Sequence, residues 1–157
     1  MDLAVQEKTK VCVVMLTYKQ RERTVECLST LKAFEESPFD VLVWENNCQD
    51  GIVEAVRAAF PDVPAHRHHE NLGVAPGRKA AGELAIKRLN PTHLLFLYID
   101  MLVEPVFVGA LLRPFIEDET VGQTQAKLRF MDHKQRLNDG GGCNINFVPA
   151  RGWPAFL

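Results

Sequence analysis

The chain has no long apolar run. No stretch reaches the roughly 18–20 consecutive apolar residues that a membrane-spanning helix needs. The opening segment, Met1-Asp2-Leu3-Ala4-Val5-Gln6-Glu7-Lys8-Thr9-Lys10, has no apolar core of signal-peptide length. Both absences point to a soluble, cytoplasmic protein and leave peripheral attachment to a membrane open. A dominant charge is missing too. Lys and Arg number 18 against 20 Asp and Glu, for a formal net charge of -2. That balance offers no electrostatic case for binding nucleic acid. The cysteines, Cys12, Cys27, Cys48 and Cys143, form no Cys-x-x-Cys pair and no zinc-like spacing. Cys12 and Cys27 read as small buried apolar groups in a reduced compartment. There is no internal repeat and no low-complexity linker.

What the chain does contain is a set of apolar runs, each followed by polar residues. Val11 to Leu16 precedes Thr17-Tyr18, Val41 to Trp44 precedes Glu45-Asn46-Asn47, and Leu94 to Ile99 precedes Asp100. Short, continuous, β-branched runs read as strands buried on both faces of a parallel sheet. Helical spacing appears between them. Cys27, Leu31 and Phe34 mark one helix from about Arg23, ending at Ser37-Pro38. Ile52, Val53, Val56 and Phe60 mark a second, with Asp50 as its N-cap and Pro61 as its stop. A third runs from Pro76 to Leu89, with Ala80, Leu84 and Leu89 on one side. A fourth follows Glu104-Pro105, with Phe107, Ala110, Leu111 and Phe115 inward. Short strands are expected between Val63 and His68 and from Val121 to Met131.

This alternation predicts an α/β fold, a mostly parallel sheet flanked by helices in a Rossmann-like arrangement. The expected strand order is third, second, first, fourth. The 157 residues suit one domain. Residues 1–9 read as a flexible arm, 10–147 as the domain and 148–157 as a C-terminal tail. In such a sheet the polar residues after the strands share one carboxyl edge, where open α/β sheets bind ligands.

Four segments, in order, carry a family resemblance. They are Val13-Val14-Met15-Leu16-Thr17-Tyr18-Lys19-Gln20-Arg21, Val43-Trp44-Glu45-Asn46-Asn47-Cys48-Gln49-Asp50-Gly51, Asn71-Leu72-Gly73-Val74-Ala75-Pro76-Gly77-Arg78-Lys79-Ala80-Ala81-Gly82 and Leu97-Tyr98-Ile99-Asp100-Met101-Leu102-Val103-Glu104-Pro105. Together they resemble the nucleotide-sugar-binding half of family 2 glycosyltransferases, which have the GT-A fold, and the rhamnosyltransferase-type members in particular. The resemblance implies a chain truncated relative to the full family, whose later half binds the acceptor and supplies the catalytic base.

The resemblance implies a nucleoside-diphosphate sugar, of UDP or dTDP type, and a carbohydrate or lipid-linked acceptor. It implies nucleoside contacts from Thr17 and Tyr18, and a ring N–H accepted by Glu45 with Asn46 beside it. Asn71, Gly73 and Arg78 fall in the third loop, where a helix N-terminus and an arginine fork suit a diphosphate. Asp100 takes the place of the last acid in the family's Asp-x-Asp and would hold Mg²⁺ or Mn²⁺. Tyr98 stands where that motif has its first Asp. The resemblance implies an inverting, metal-assisted transferase. The alternative is a catalytically incomplete nucleotide-binding module that needs a partner or belongs to a larger enzyme. Homo-oligomers through the apolar tail stay open.

Each site has a plainer reading. Thr17 and Tyr18 can be an ordinary strand end, and Arg78 a surface arginine. Asp50 reads as structural, and Glu104 as a helix-start acid. His66, His68 and His69 read as a solvated strand end, with no carboxylate partner at an obvious spacing. Asp132, His133 and Asp139 fall where an acceptor would approach, and Gly140-Gly141-Gly142 reads as a flexible loop.

Overall fold

The computed structural model describes residues 9–34, 38–140, 143–146 and 151–154. The order of elements is β1 (Val11–Thr17), α1 (Arg21–Phe34), β2 (Phe39–Glu45), α2 (Ile52–Ala59), β3 (Ala65–Arg67), α3 (Val74–Leu89), β4 (His93–Leu97), α4 (Phe107–Glu117), β5 (Leu128–Arg129), β6 (Leu137–Asp139), β7 (Cys143–Asn146) and β8 (Arg151–Pro154). Two compact units result, one ending at Phe107 and the other beginning at Val108.

The first unit is built on a four-stranded sheet of order β3-β2-β1-β4, the order expected from the sequence. All its pairings are parallel. The register brings the strand ends level, with Thr17 opposite Glu45 and Glu45 opposite Arg67. β1 and β2 are buried along nearly their whole length, because helices cover both faces. On one face Cys12, Val14, Leu42 and Trp44 pack with Ala81 and Ala85 of α3, and Leu16, Ala80, Leu84 and Leu89 lie against this cluster. Alternation turns Val13, Met15, Val41 and Val43 to the other face. α1 buries Cys27, Leu28 and Leu31 and α2 buries Ile52, Val53 and Val56, and right-handed crossovers from β1 to β2 to β3 carry both helices over that same side. Burying one such Val, Leu or Ile stabilises by about 1.5–3 kcal/mol. Burial also raises the Cys12 and Cys27 thiols to about 11.

Close approach of α3 to β1 depends on a small residue. A Cβ on Gly77 would stand 3.1 Å from Leu16 Cδ1. This seats the N-terminal turn of α3 at the carboxyl end of β1. Pro76 lies in that first turn, where its missing N–H costs little. Among the described residues no helix is long and apolar enough to cross a membrane.

The second unit departs further from the expectations. The inward stripe of α4 is Val108 and Leu112, and Ala110 is exposed. The spacing of four was right, but the face is one residue out, because a helix that is apolar nearly all round does not mark its buried stripe. The strand expected from Val121 to Met131 shrinks to Leu128–Arg129, paired antiparallel with β6. Arg151–Pro154, expected in the tail, pairs antiparallel with β7. Ser37, Gly141, Gly142, the arm before Thr9 and the tail after Pro154 lie outside the described residues.

Candidate functional site

The carboxyl edge of the first unit is organised by a buried carboxylate. Glu45 is 0% exposed at the end of β2. Its Oε1 accepts the backbone N–H of Cys48 at 2.7 Å and of Gln49 at 2.8 Å. Its Oε2 accepts Arg67 Nε from the next strand. Arg67 Nη2 also donates to both oxygens of Glu54, at 3.1 and 2.8 Å. Burial pushes the Glu45 carboxyl up, but the Gln49 N–H, Arg67 and the Cys48 N–H outweigh it and hold the group below its ordinary range. The loop needs such an anchor, because Asn47 and Gln49 both take left-handed φ, 57° and 53°. Without glycine, that backbone is costly unless its N–H groups find an acceptor.

Asn46 locks the neighbouring loop. Its Nδ2 donates to Asn71 Oδ1 at 2.7 Å and to Gly73 O at 3.1 Å, and its Oδ1 accepts the Leu72 N–H at 3.2 Å. Asn71 Oδ1 also accepts the Gly73 N–H at 2.9 Å. Every polar group on the Asn46 side chain is therefore used, and Asn46 is itself buried. Gly73 caps α3 with φ 75° and ψ -169°, a region essentially confined to glycine. The Asn-Leu-Gly turn is thus bolted to the end of β2.

Thr17 is buried, and its hydroxyl shares a 3.0 Å hydrogen bond with that of Thr24. Thr24 donates to Gln20 O, so Thr17 is the donor in that pair. A ligand would have to open these contacts to reach Thr17 Oγ1 or the Glu45 carboxylate. Tyr18, by contrast, is exposed, with Lys19 Nζ 5.2 Å from its ring centre. Asp100 is exposed, three residues past the end of β4. Asp50 accepts the Ile52 N–H at 3.3 Å, but the cap position of α2 belongs to Gly51 with φ 80°. The Asp50 capping role expected from sequence is thus displaced by one residue, because only Gly51 takes the left-handed backbone there cheaply.

Arg78 stacks its guanidinium over Tyr98, 4.2 Å from the ring centre, and lies 5.8 Å from that of Phe96. Tyr98 is 52% exposed. Tyr98 is thus the platform on which the Arg78 guanidinium rests. An exposed carboxylate can serve a hard divalent ion, which needs only one or two carboxylates when phosphate and water supply the other oxygens. Asp100 is the one such residue on β4 and its following turn up to Met101.

On the outer flank of the sheet an open cavity of about 480 Å³ is lined by Trp44, His66, His68, Ala80, Leu84 and Lys87 among others. In the second unit Asp132 and His133 are exposed and 3.9 Å apart, and Asp139 accepts from Gln125. Sequence reasoning missed Arg67 and Thr24, the partners of Glu45 and Thr17. The parallel register of β3 would have pointed to Arg67.

An α/β fold with these strand-end loops defines a class, and solved structures share it. The chain is similar to the mannosyltransferase PcManGT from Pyrobaculum calidifontis, solved in complex with GDP-Man and Mn²⁺. Identity is 22% and the TM-score 0.61, over 76% of this chain and 35% of that one. It is also similar to S. aureus TarS 1-349, at 16% identity and a TM-score of 0.58, over 80% of this chain and 43% of that one. TarS 1-349 in complex with UDP-GlcNAc matches at the same identity and TM-score. The chain spans well under half the length of these proteins. No protein-family model and no curated protein matches it. The fold is therefore that of these glycosyltransferases.

Proposed function

We propose that the first unit binds a nucleoside-diphosphate sugar and belongs to a glycosyltransferase that passes the sugar to an acceptor hydroxyl with inversion. The observation that carries this reading is the convergence at one sheet edge. The ends of β1 and β2, the bolted Asn71–Gly73 turn, the N-terminus of α3 and the Arg78–Tyr98 stack all meet there. The solved relatives named above bind GDP-Man, UDP-GlcNAc and UDP, which supports a nucleotide sugar as ligand. The four sequence segments support the family 2, rhamnosyltransferase-type assignment and a UDP or dTDP carrier.

In this reading the buried pair Glu45 and Asn46 shapes the base pocket, with Thr17 supporting the end of β1. The exposed Tyr18 ring offers a surface on which a base can stack. Asn71 and Gly73 present backbone to the nucleotide. Arg78, oriented by Tyr98, faces the diphosphate with its planar fork. Asp100 holds Mg²⁺ or Mn²⁺, which when bound neutralises charge developing on the leaving diphosphate. The acceptor, carbohydrate or lipid-linked, is deprotonated by a base outside the residues discussed.

A second reading is favoured by Tyr98. With only Asp100 on that turn, the chain serves as a nucleotide-binding module whose transfer chemistry needs a further subunit or segment. Calorimetric titration of UDP, dTDP, GDP and CDP, with and without Mn²⁺, tests the common core. We expect one nucleotide to bind with Mn²⁺ dependence that Asp100→Ala abolishes. Absence of binding by all four would sink both readings. Sugar transfer to an acceptor screen then separates them.

A further inference from the structure

We propose that His68, His69 and Glu70 form a binding site for a divalent transition-metal ion of the Zn²⁺ class, at the opposite edge of the sheet from Asp100. Extended backbone sends neighbouring side chains to opposite faces, and on that rule His68 and His69 would diverge. The chain does not stay extended. β3 ends at Arg67, and a bend at His69 and Glu70 follows. One ligand atom from each of the three side chains then lies within 4.8 Å of the other two. His69 Nε2 and Glu70 Oε1 are 3.9 Å apart. Ligands about 2.0–2.2 Å from a tetrahedral zinc are separated from one another by roughly 3.4 Å. Small torsions of two exposed side chains close the remaining gap.

The third ligand is already held. His68 donates its backbone N–H to Glu45 O at 2.9 Å. Its ring stacks on Trp44, with centroids 4.9 Å apart and planes 28° from parallel. Trp44 is itself buried in the core of the sheet, so the imidazole is fixed by packing before any ion arrives. The His69 ring centroid lies 4.3 Å from that of His68. Two imidazoles and one carboxylate suit Zn²⁺, Cu²⁺ or Ni²⁺ better than Mg²⁺ or Ca²⁺, which prefer oxygen. Three protein ligands leave a coordination position for water. The site is separate from the Asp100 turn, because β3 and β4 are the two outermost strands of the sheet. Glu70 directly precedes Asn71, so an ion here would also brace the turn that Asn46 holds.

The test is calorimetric titration of ZnCl₂ into the full chain, in a buffer that does not chelate zinc and without nucleotide. His69→Ala and Glu70→Gln alter exposed side chains and leave the Trp44 packing intact. His133→Ala, in the second unit, serves as a control on an exposed histidine outside the three. We expect one saturating Zn²⁺ per chain, with Kd raised about tenfold or more in His69→Ala and Glu70→Gln and unchanged in His133→Ala. Zn²⁺ should raise Tm in the wild type and the control and lose that effect in the two variants. No saturable binding, or equal affinity in all four proteins, overturns the proposal. Because no nucleotide is present, failure here is distinct from failure of the proposed function.

Discussion

Glu45 shows how much one buried side chain organises. Its carboxylate serves two backbone donors and an arginine. Glu45→Ala leaves the Cys48 and Gln49 N–H groups and Arg67 without that acceptor. We predict a loss on the order of 3 kcal/mol, measured by urea unfolding at pH 7. The pH dependence follows from the direction of the shift. A carboxyl held below its ordinary value stabilises the fold fully above about pH 4.3 and loses that contribution as pH falls through its folded value. The stability gap between wild type and Glu45→Gln should therefore narrow on acidification below about pH 4.3. A gap that stays constant to pH 3 would show that the charge is not the stabilising form. Cys12 and Cys27 give a second check at this scale. Both are buried, with thiols raised to about 11, so they should resist alkylation at pH 8 until the protein is unfolded.

At the scale of elements the decisive feature is how α3 begins. Gly73 takes φ 75° and ψ -169°, and a Cβ there would meet no atom within 4 Å. The cost of Gly73→Ala is therefore backbone strain and not a clash. We predict about 1–3 kcal/mol of destabilisation, together with weaker nucleotide binding, because the turn that carries Asn71 must move. Gly82 has ordinary helical backbone, and an added Cβ would sit 3.2 Å from the tip of the half-exposed Phe96 ring. That ring can swing outward. Gly82→Ala should be neutral to stabilising by up to about 1 kcal/mol, the helix-propensity gain, in the same unfolding assay. The β1 and β2 strands were legible in the sequence as short continuous β-branched runs, and α3 because Gly73 and Pro76 mark its start, although its buried face is Gly77, Ala81, Gly82 and Ala85. The buried stripe of α4 was not, since Phe107, Val108, Leu111, Leu112 and Phe115 offer more than one apolar face.

At the scale of the molecule, the groups that support the fold and those proposed to meet the ligand are separable by burial. Thr17, Glu45 and Asn46 are buried, whereas Tyr18, Tyr98 and Asp100 are exposed. Asp100→Ala should change unfolding free energy by no more than about 0.5 kcal/mol while removing Mn²⁺-dependent nucleotide binding. Arg78→Ala should likewise keep the fold and weaken binding of a nucleoside diphosphate more than of the nucleoside, because the guanidinium addresses phosphate. A variant that fails to fold would show that the Arg78–Tyr98 stack supports the unit itself.

The sequence alone determined the alternation of strands and helices, the parallel character of the sheet and the set of polar residues at one edge. Those follow from local periodicity and from the rule that parallel strands share a direction. The strand order, expected by analogy, was decided by the tertiary structure. Only the tertiary structure decided what each polar residue does at that edge. Glu45 and Thr17 turn inward because Arg67 on the next strand and Thr24 on the following helix offer partners that pattern cannot reveal. Arg78 meets Tyr98 because α3 packs on the sheet face with its first turn at the carboxyl end of the strands. His68, His69 and Glu70 converge because the chain bends after β3. Period and composition report which residues want burial; which polar groups find one another is set by how the buried faces lock together.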